Sequence, residues 1–171
     1  TAYTTRVRTA SGTGRQATQA AADTNGTFTK IEDGLYRYTF RTPAPSGIDR
    51  TATHSIGVYA SRNLTEFELG TNFASNVYNF IPAGGAVTKT HDVIRTETCN
   101  GCHGDLNFHG GSRRGVAMCV LCHQPQTSDP VTGNTLDLAV MVHKIHTGAD
   151  LPSVTAGGKY QLNGFSGLVD Y

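Results

Sequence analysis

The residues best equipped for chemistry are four cysteines in two pairs, each pair followed at once by a histidine: Cys99-Asn100-Gly101-Cys102-His103 and Cys119-Val120-Leu121-Cys122-His123. Three chemistries use cysteines in this way. Disulfides are one, with three possible pairings of four thiols. A structural zinc is the second, because sixteen residues separate Cys102 from Cys119, within the range of a four-cysteine ribbon. Covalent haem attachment is the third, and Cys-x-x-Cys-His is its sequence signature. The adjoining histidine decides between them. Two thioethers fix the porphyrin edge against the backbone, and the next residue then lies under the iron and can donate its imidazole as an axial ligand. Zinc and disulfides ask for nothing at that position. With seven His in 171 residues, chance would place one after both pairs about once in several hundred chains. The sequence therefore predicts two covalently attached haems c, held by Cys99, Cys102, Cys119 and Cys122, with His103 and His123 on the irons. Thioether attachment takes place outside the cytoplasm, so a periplasmic, cell-surface or extracellular location is expected.

The second axial ligands must come from His54, His91, His109, His143, His146 or one of the two methionines. Met118 directly precedes Cys119, too constrained to reach round its own ring, and Met141 lies on an apolar helical stripe where packing is its expected role. Bis-histidine iron is thus expected at both haems, with a low reduction potential.

The elements that must position these groups differ along the chain. Residues 135–147 read as a helix, with Leu138, Met141, Val142 and Ile145 at three- and four-residue spacing. Asn134 is the expected N-cap, Asp137 falls in the first turn and Gly148 stops the helix. His143 and His146, three apart, share one face and can serve two neighbouring irons; the plainer reading is two surface histidines beside a core stripe. His109 lies in Leu106-Asn107-Phe108-His109-Gly110-Gly111, where two glycines let the backbone pass close to a ring. It is read as a ligand, to the haem of His103 or to another. His91, eight residues before the first motif, is a weaker candidate, and His54 sits in a strand-like run where a structural role is expected. Residues 1–86 look all-β. Tyr3–Arg8, Thr27–Ile31, Leu35–Phe40 and Ser55–Tyr59 have strand composition or alternation, and Asp33-Gly34 marks a hairpin turn. Pro82-Ala83-Gly84-Gly85 reads as a linker. The expected fold is therefore a mainly β N-terminal half, part of a sandwich or barrel (residues 1–86), followed by a haem-packed, loop-rich region with short helices (residues 87–171).

Composition fits that division. Hydrophobic residues make up 37% of the chain and Trp is absent, a thin apolar inventory that porphyrins would supplement; a loop-rich β domain with a small core fits it too. A formal net charge of +1 without a basic stripe gives no reason to expect a nucleic-acid partner. No run of 18 apolar residues is present, and the first ten residues lack the charged and apolar regions of a signal peptide, so a mature form or a piece of something larger is expected.

The sequence resembles the outer-membrane multihaem cytochromes of metal-respiring bacteria, the OmcA/MtrC-type family. The resemblance rests on Thr98–Gly104, Phe108–Gly111, Cys119–Pro125, Asp129–Thr135 and Val142–Gly148, with Ala52–Val58 upstream. It covers roughly residues 30 to 160 and extends well beyond the two haem motifs. It implies surface-exposed proteins that alternate β domains with five-haem clusters and pass electrons to minerals, flavins or soluble carriers. The chain departs from that plan by beginning inside a β domain and ending before a third haem motif, as a fragment or a natural two-haem relative would. His109, His143 and His146 then give three distal candidates for two haems. The third is expected to bind an iron outside this chain, in a further haem segment, another multihaem cytochrome or an identical subunit of a filament. Electron transfer is the expected function, with metal oxides or flavins as extracellular acceptors. The alternative is a multihaem reductase with one open iron site.

Overall fold

The structure is a computed structural model and describes residues 2–171. Strands β1 (Thr5–Thr9) and β2 (Gln16–Ala20) pair antiparallel, as do β3 (Thr27–Glu32) and β4 (Leu35–Thr39). The expected turn closes the second hairpin: Glu32 pairs with Leu35 across Asp33-Gly34, and Gly34 takes φ +78°, a conformation only glycine adopts freely. A longer hairpin, β5 (His54–Asn63) with β6 (Thr71–Phe80), holds ten residue pairs in unbroken register from His54↔Phe80 to Asn63↔Thr71. The N-terminal half is thus mainly β, its strands paired as hairpins of two. The expected linker at residues 82–85 is a turn tied back to the hairpin region, with Ala83 N–H donating to Arg50 O at 2.8 Å.

The long hairpin is the platform on which the cysteine-bearing half is built. Side chains alternate across a strand with period two, so Gly57, Tyr59, Phe73, Ser75 and Val77 share one face, and in β6 these alternate positions are the half-buried ones. That face meets the segment from Gly111 to Leu121. A Cβ on Gly57 would come within 2.5 Å of Leu121 Cδ1 and 3.1 Å of Met118 Sδ, and one on Gly111 within 3.2 Å of the Phe73 ring. Ser75 Oγ donates to Arg114 O at 3.1 Å and accepts from Arg114 N at 3.2 Å. Val58 and Tyr78, on the opposite face, are exposed.

Beyond residue 90 the chain folds into short pieces: α1 (Thr96–His103), the small ladder β7 (Asn107–Phe108) with β8 (Arg113–Arg114), α2 (Val116–Cys122), α3 (Leu138–Thr147), α4 (Pro152–Thr155) and a final hairpin, β9 (Gln161–Gly164) with β10 (Gly167–Asp170). No helix among the described residues is long and apolar enough to cross a membrane. The third helix begins later than its sequence suggests. Asp137, not Asn134, is the N-cap, its carboxylate accepting from Val140 N at 3.1 Å. Asn134 instead donates through Nδ2 to Gln161 O at 2.9 Å, so the loop before the helix is pinned to β9 and cannot wind. Gly148 ends the helix as expected, at φ +52°.

Two small apolar clusters hold this region. Leu106, Val116, Val120 and Leu138 form one, with Val93, Cys99, Cys119 and Met141 against it. Leu151, Tyr160 and Leu162 form the other, with Leu136, Met141, Ile145 and Val154. Met141 belongs to both and has the packing role its stripe suggests. The chain exposes 11872 Å², against about 8,100 Å² for a compact protein of its 18.2 kDa mass. Such a polypeptide carries apolar surface for something else to cover.

Candidate haem centre

Both cysteine motifs close short helices. His103 is the last residue of α1, which Gly104 terminates at φ +69°, and His123 is the C-cap of α2. The two helices are joined at their starts: Thr96 Oγ1, in the first turn of α1, accepts from Val116 N at 2.9 Å, satisfying a backbone donor that a helix leaves free. Cys99 and Cys119, the first cysteine of each motif, pack on the same apolar cluster. All four thiols are unpaired. Among the described residues no three His, Cys, Asp or Glu side chains converge as a metal-ion site, so the four-cysteine ribbon is not assembled. Burial pushes the Cys119 thiol up, with Cys122 and Cys99 adding to the effect.

The histidines meet in pairs. His103 and His146 lie with ring centroids 6.1 Å apart and planes at 86°, and His109 and His123 with centroids 6.2 Å apart and planes at 23°. A metal–imidazole bond of about 2 Å and a five-membered ring with sides of about 1.35 Å put two axial imidazoles about 6.3 Å apart, centroid to centroid, across one iron. Both pairs have that separation, and rotation about the ligand axis accommodates either interplanar angle. The residues therefore fit haem c: two cysteine pairs for the thioethers, and beside each adjoining histidine a second imidazole whose centroid lies at that separation. Exposed Ile94, Phe108, Val140 and Val142 supply apolar surface on or beside the elements that carry these histidines.

Backbone groups orient the rings. His123 Nδ1 lies 3.0 Å from Leu136 O, and His146 Nδ1 lies 2.8 Å from Val142 O. A bond of this kind fixes the tautomer and leaves Nε2 as the free donor, the usual outer-shell arrangement of a metal-ligating histidine. Burial holds His123 below the ordinary histidine range, opposed by the Leu136 carbonyl and Asp137. Burial also lowers His109, and the charges of His123 and Arg113 add to the shift. Both shifts favour the neutral imidazole, the form that binds a metal. His109 itself sits at φ +54°, followed by Gly110 at +73° and Gly111 at +87°. Three successive left-handed residues make the sharp turn out of β7 that brings His109 to His123, and the non-glycine member is strained.

The remaining histidines lie elsewhere. Both ring nitrogens of His54 are engaged, Nδ1 with Tyr3 Oη at 2.6 Å and Nε2 with Asp49 O at 2.8 Å, which is a structural role. His91 is exposed in the loop before α1, and His143 is exposed on α3, one turn before His146. Sequence reasoning names candidate ligands without saying which of them lie together, and it misses the carbonyls of Leu136 and Val142, because backbone acceptors carry no signal in residue type.

Residues 91–166 match the family model of outer membrane cytochromes that are MtrC/MtrF-like, domains II/IV. A curated relative, multiheme cytochrome MtrC of Shewanella baltica (strain OS185), is 31% identical over 148 residues, which is 82% of this chain and 22% of that protein. The crystal structure of the outer membrane decaheme cytochrome OmcA superposes with a TM-score of 0.72 at 22% identity, covering 99% of this chain and 28% of that one. At that identity the likeness shows the fold, and it bears out a β-rich first half followed by loops and short helices. The chain spans about a fifth of the length of the curated relative.

Proposed function

We propose, for a chain of the OmcA/MtrC-type multihaem cytochromes, that it binds two haems c and relays electrons through them outside the cytoplasm. Cys99 and Cys102 attach one haem, whose iron His103 and His146 ligate. Cys119 and Cys122 attach the other, ligated by His123 and His109. The observation that carries this is the pair of imidazole separations, 6.1 and 6.2 Å, each joining a motif histidine to a distal candidate. Haem bound there supplies one-electron exchange between ferric and ferrous iron. The protein's own contribution is ligation, orientation of the imidazoles by Leu136 O and Val142 O, and burial, which together set the potentials.

Residues 1–86 and 87–171 act as a β domain and a dihaem domain, the first presenting the face of β5–β6 against which the second is built. His143, exposed one turn before His146, takes an iron beyond the two pairs, in a further haem segment, another multihaem cytochrome or an adjacent subunit. Location at the outer surface of the outer membrane, with metal oxides or flavins as acceptors, follows from the family. A reductase would need an open coordination position, and two filled pairs leave none. Intact-protein mass with carbon monoxide titration of the dithionite-reduced protein tests the reading. Two covalent haems and no carbon monoxide binding are expected; rapid stoichiometric binding, or a mass without two haems, would overturn it.

A further inference from the structure

Arg113 is held by an aromatic ring and two hydrogen bonds without a counter-charge. Its neighbour Arg114 pairs with Asp105, and none of the three ion pairs among the described residues includes Arg113. Instead the guanidinium lies 3.9 Å from the centroid of the Tyr59 ring. It donates to Tyr59 Oη at 2.9 Å and to Ser112 Oγ at 2.7 Å. The residue is half-buried on β8, four positions after His109 and beside the turn that delivers that histidine. Across the β7–β8 ladder it pairs with Phe108, the residue directly before His109. Lys and Arg side chains at a surface are normally free to rotate and well screened; this one is stacked, hydrogen-bonded at two nitrogens and permanently charged.

We propose that Arg113, clamped by Tyr59 of the β5–β6 hairpin, is a positioning residue that sets the potential of the haem ligated by His109 and His123 above the value it would otherwise have. The inference rests on the ligand pairing proposed above. One-electron reduction of ferric to ferrous iron lowers the net charge of the site by one. A fixed cation nearby repels the ferric state more than the ferrous and so favours reduction, most strongly where water is excluded. The sign is the same if the guanidinium meets a propionate carboxylate of the ring. The other charges facing this centre are Arg6, exposed on β1 and felt at Cys122, and Asp137, felt at His123 with opposite sign. Beside the His103–His146 pair the corresponding cation is Lys144, whose Nζ lies farther from its ring, 5.3 Å from the centroid of Tyr160. Tyr59 belongs to the hairpin platform, so the β half would contribute to the redox poise of the haem half.

The test is a potentiometric titration of the full, haem-loaded chain followed by electron paramagnetic resonance, in which the signal lost in H109A identifies the centre. R113Q should lower the ferrous-to-ferric ratio of that centre about tenfold at fixed potential, a fall of about 59 mV in a one-electron midpoint. R113K should retain most of the parent value, R6Q should move it less than R113Q, and Y59L, which releases the clamp, should shift it the same way. Unmoved midpoints in R113Q, an equal shift in R113K, or a shift confined to the other centre would each overturn the inference. Failure of the ligand pairing shows separately, as an absence of carbon monoxide binding by reduced H109A. If R113Q does not load haem, Y59L and R113K decide by the same criteria.

Discussion

Replacing Asp129 by alanine should destabilise the haem-bearing half by about 3–4 kcal/mol and loosen the ring of His123. Asp129 is 4% exposed and its carboxylate accepts three hydrogen bonds: from Val131 N at 2.9 Å, from Thr132 Oγ1 at 2.8 Å and from Asn163 N at 2.8 Å. The first two close the turn at residues 129–132, and the third ties that turn to β9. Hydrogen bonds to charged groups contribute about 1.5–3 kcal/mol each. Water reaches the donors at the edge of this site once the carboxylate is gone, so about 1–1.3 kcal/mol per bond is the expected net loss. The turn leads through Thr135 into Leu136, whose carbonyl orients His123 Nδ1, so the effect reaches the ligand. Thermal unfolding of the haem-loaded protein, followed by circular dichroism at one scan rate, should show Tm lowered by roughly 6–16 °C, at about 2–4 °C per kcal/mol for a protein of this size. D129N, which keeps one carbonyl acceptor, should fall between. A D129A protein within about 2 °C of the parent would rule out this role for the carboxylate, since the loss would then be under about 1 kcal/mol.

Two further outcomes are expected from local geometry. D137A removes the side-chain cap of α3 and should cost about 1 kcal/mol, measured by denaturant unfolding, whereas N134A should leave the start of that helix intact. The two imidazole pairs differ in interplanar angle, 86° against 23°, and ligand orientation shapes the electronic structure of the iron; electron paramagnetic resonance of the oxidised protein should show two distinct low-spin ferric signals, and a single signal would refute the difference in geometry.

Much of this was legible in the residues. The cysteine motifs, the role of Gly148 and the turn at Asp33-Gly34 depend on local chemistry, and each appears where its residue types require. β2 was not legible, because Gln16-Ala17-Thr18-Gln19-Ala20 has only one β-branched residue and owes its conformation to pairing with β1. β6 carried a readable alternation of Phe73, Ser75 and Val77, masked by Asn72, Asn76 and Asn79, residues that ordinarily mark turns. The start of α3 was misplaced for a tertiary reason: Asn134 has the right type for a cap but is held by β9. The division of distal histidines between the two motifs was illegible in principle. His109 lies six residues from His103 yet turns to His123, through a left-handed run of backbone that spacing alone does not reveal.

Everything proposed for the two centres depends on one assignment: His146 completes the centre of His103, His109 completes that of His123, and His143 lies outside both. Carbon monoxide stoichiometry of the reduced variants probes that assignment at the iron itself, since opening one axial position creates one binding site. One carbon monoxide per chain is expected for H146A, one for H109A, two for H109A/H146A and none for H143A. No binding to H146A, or one molecule bound to H143A, would contradict the assignment.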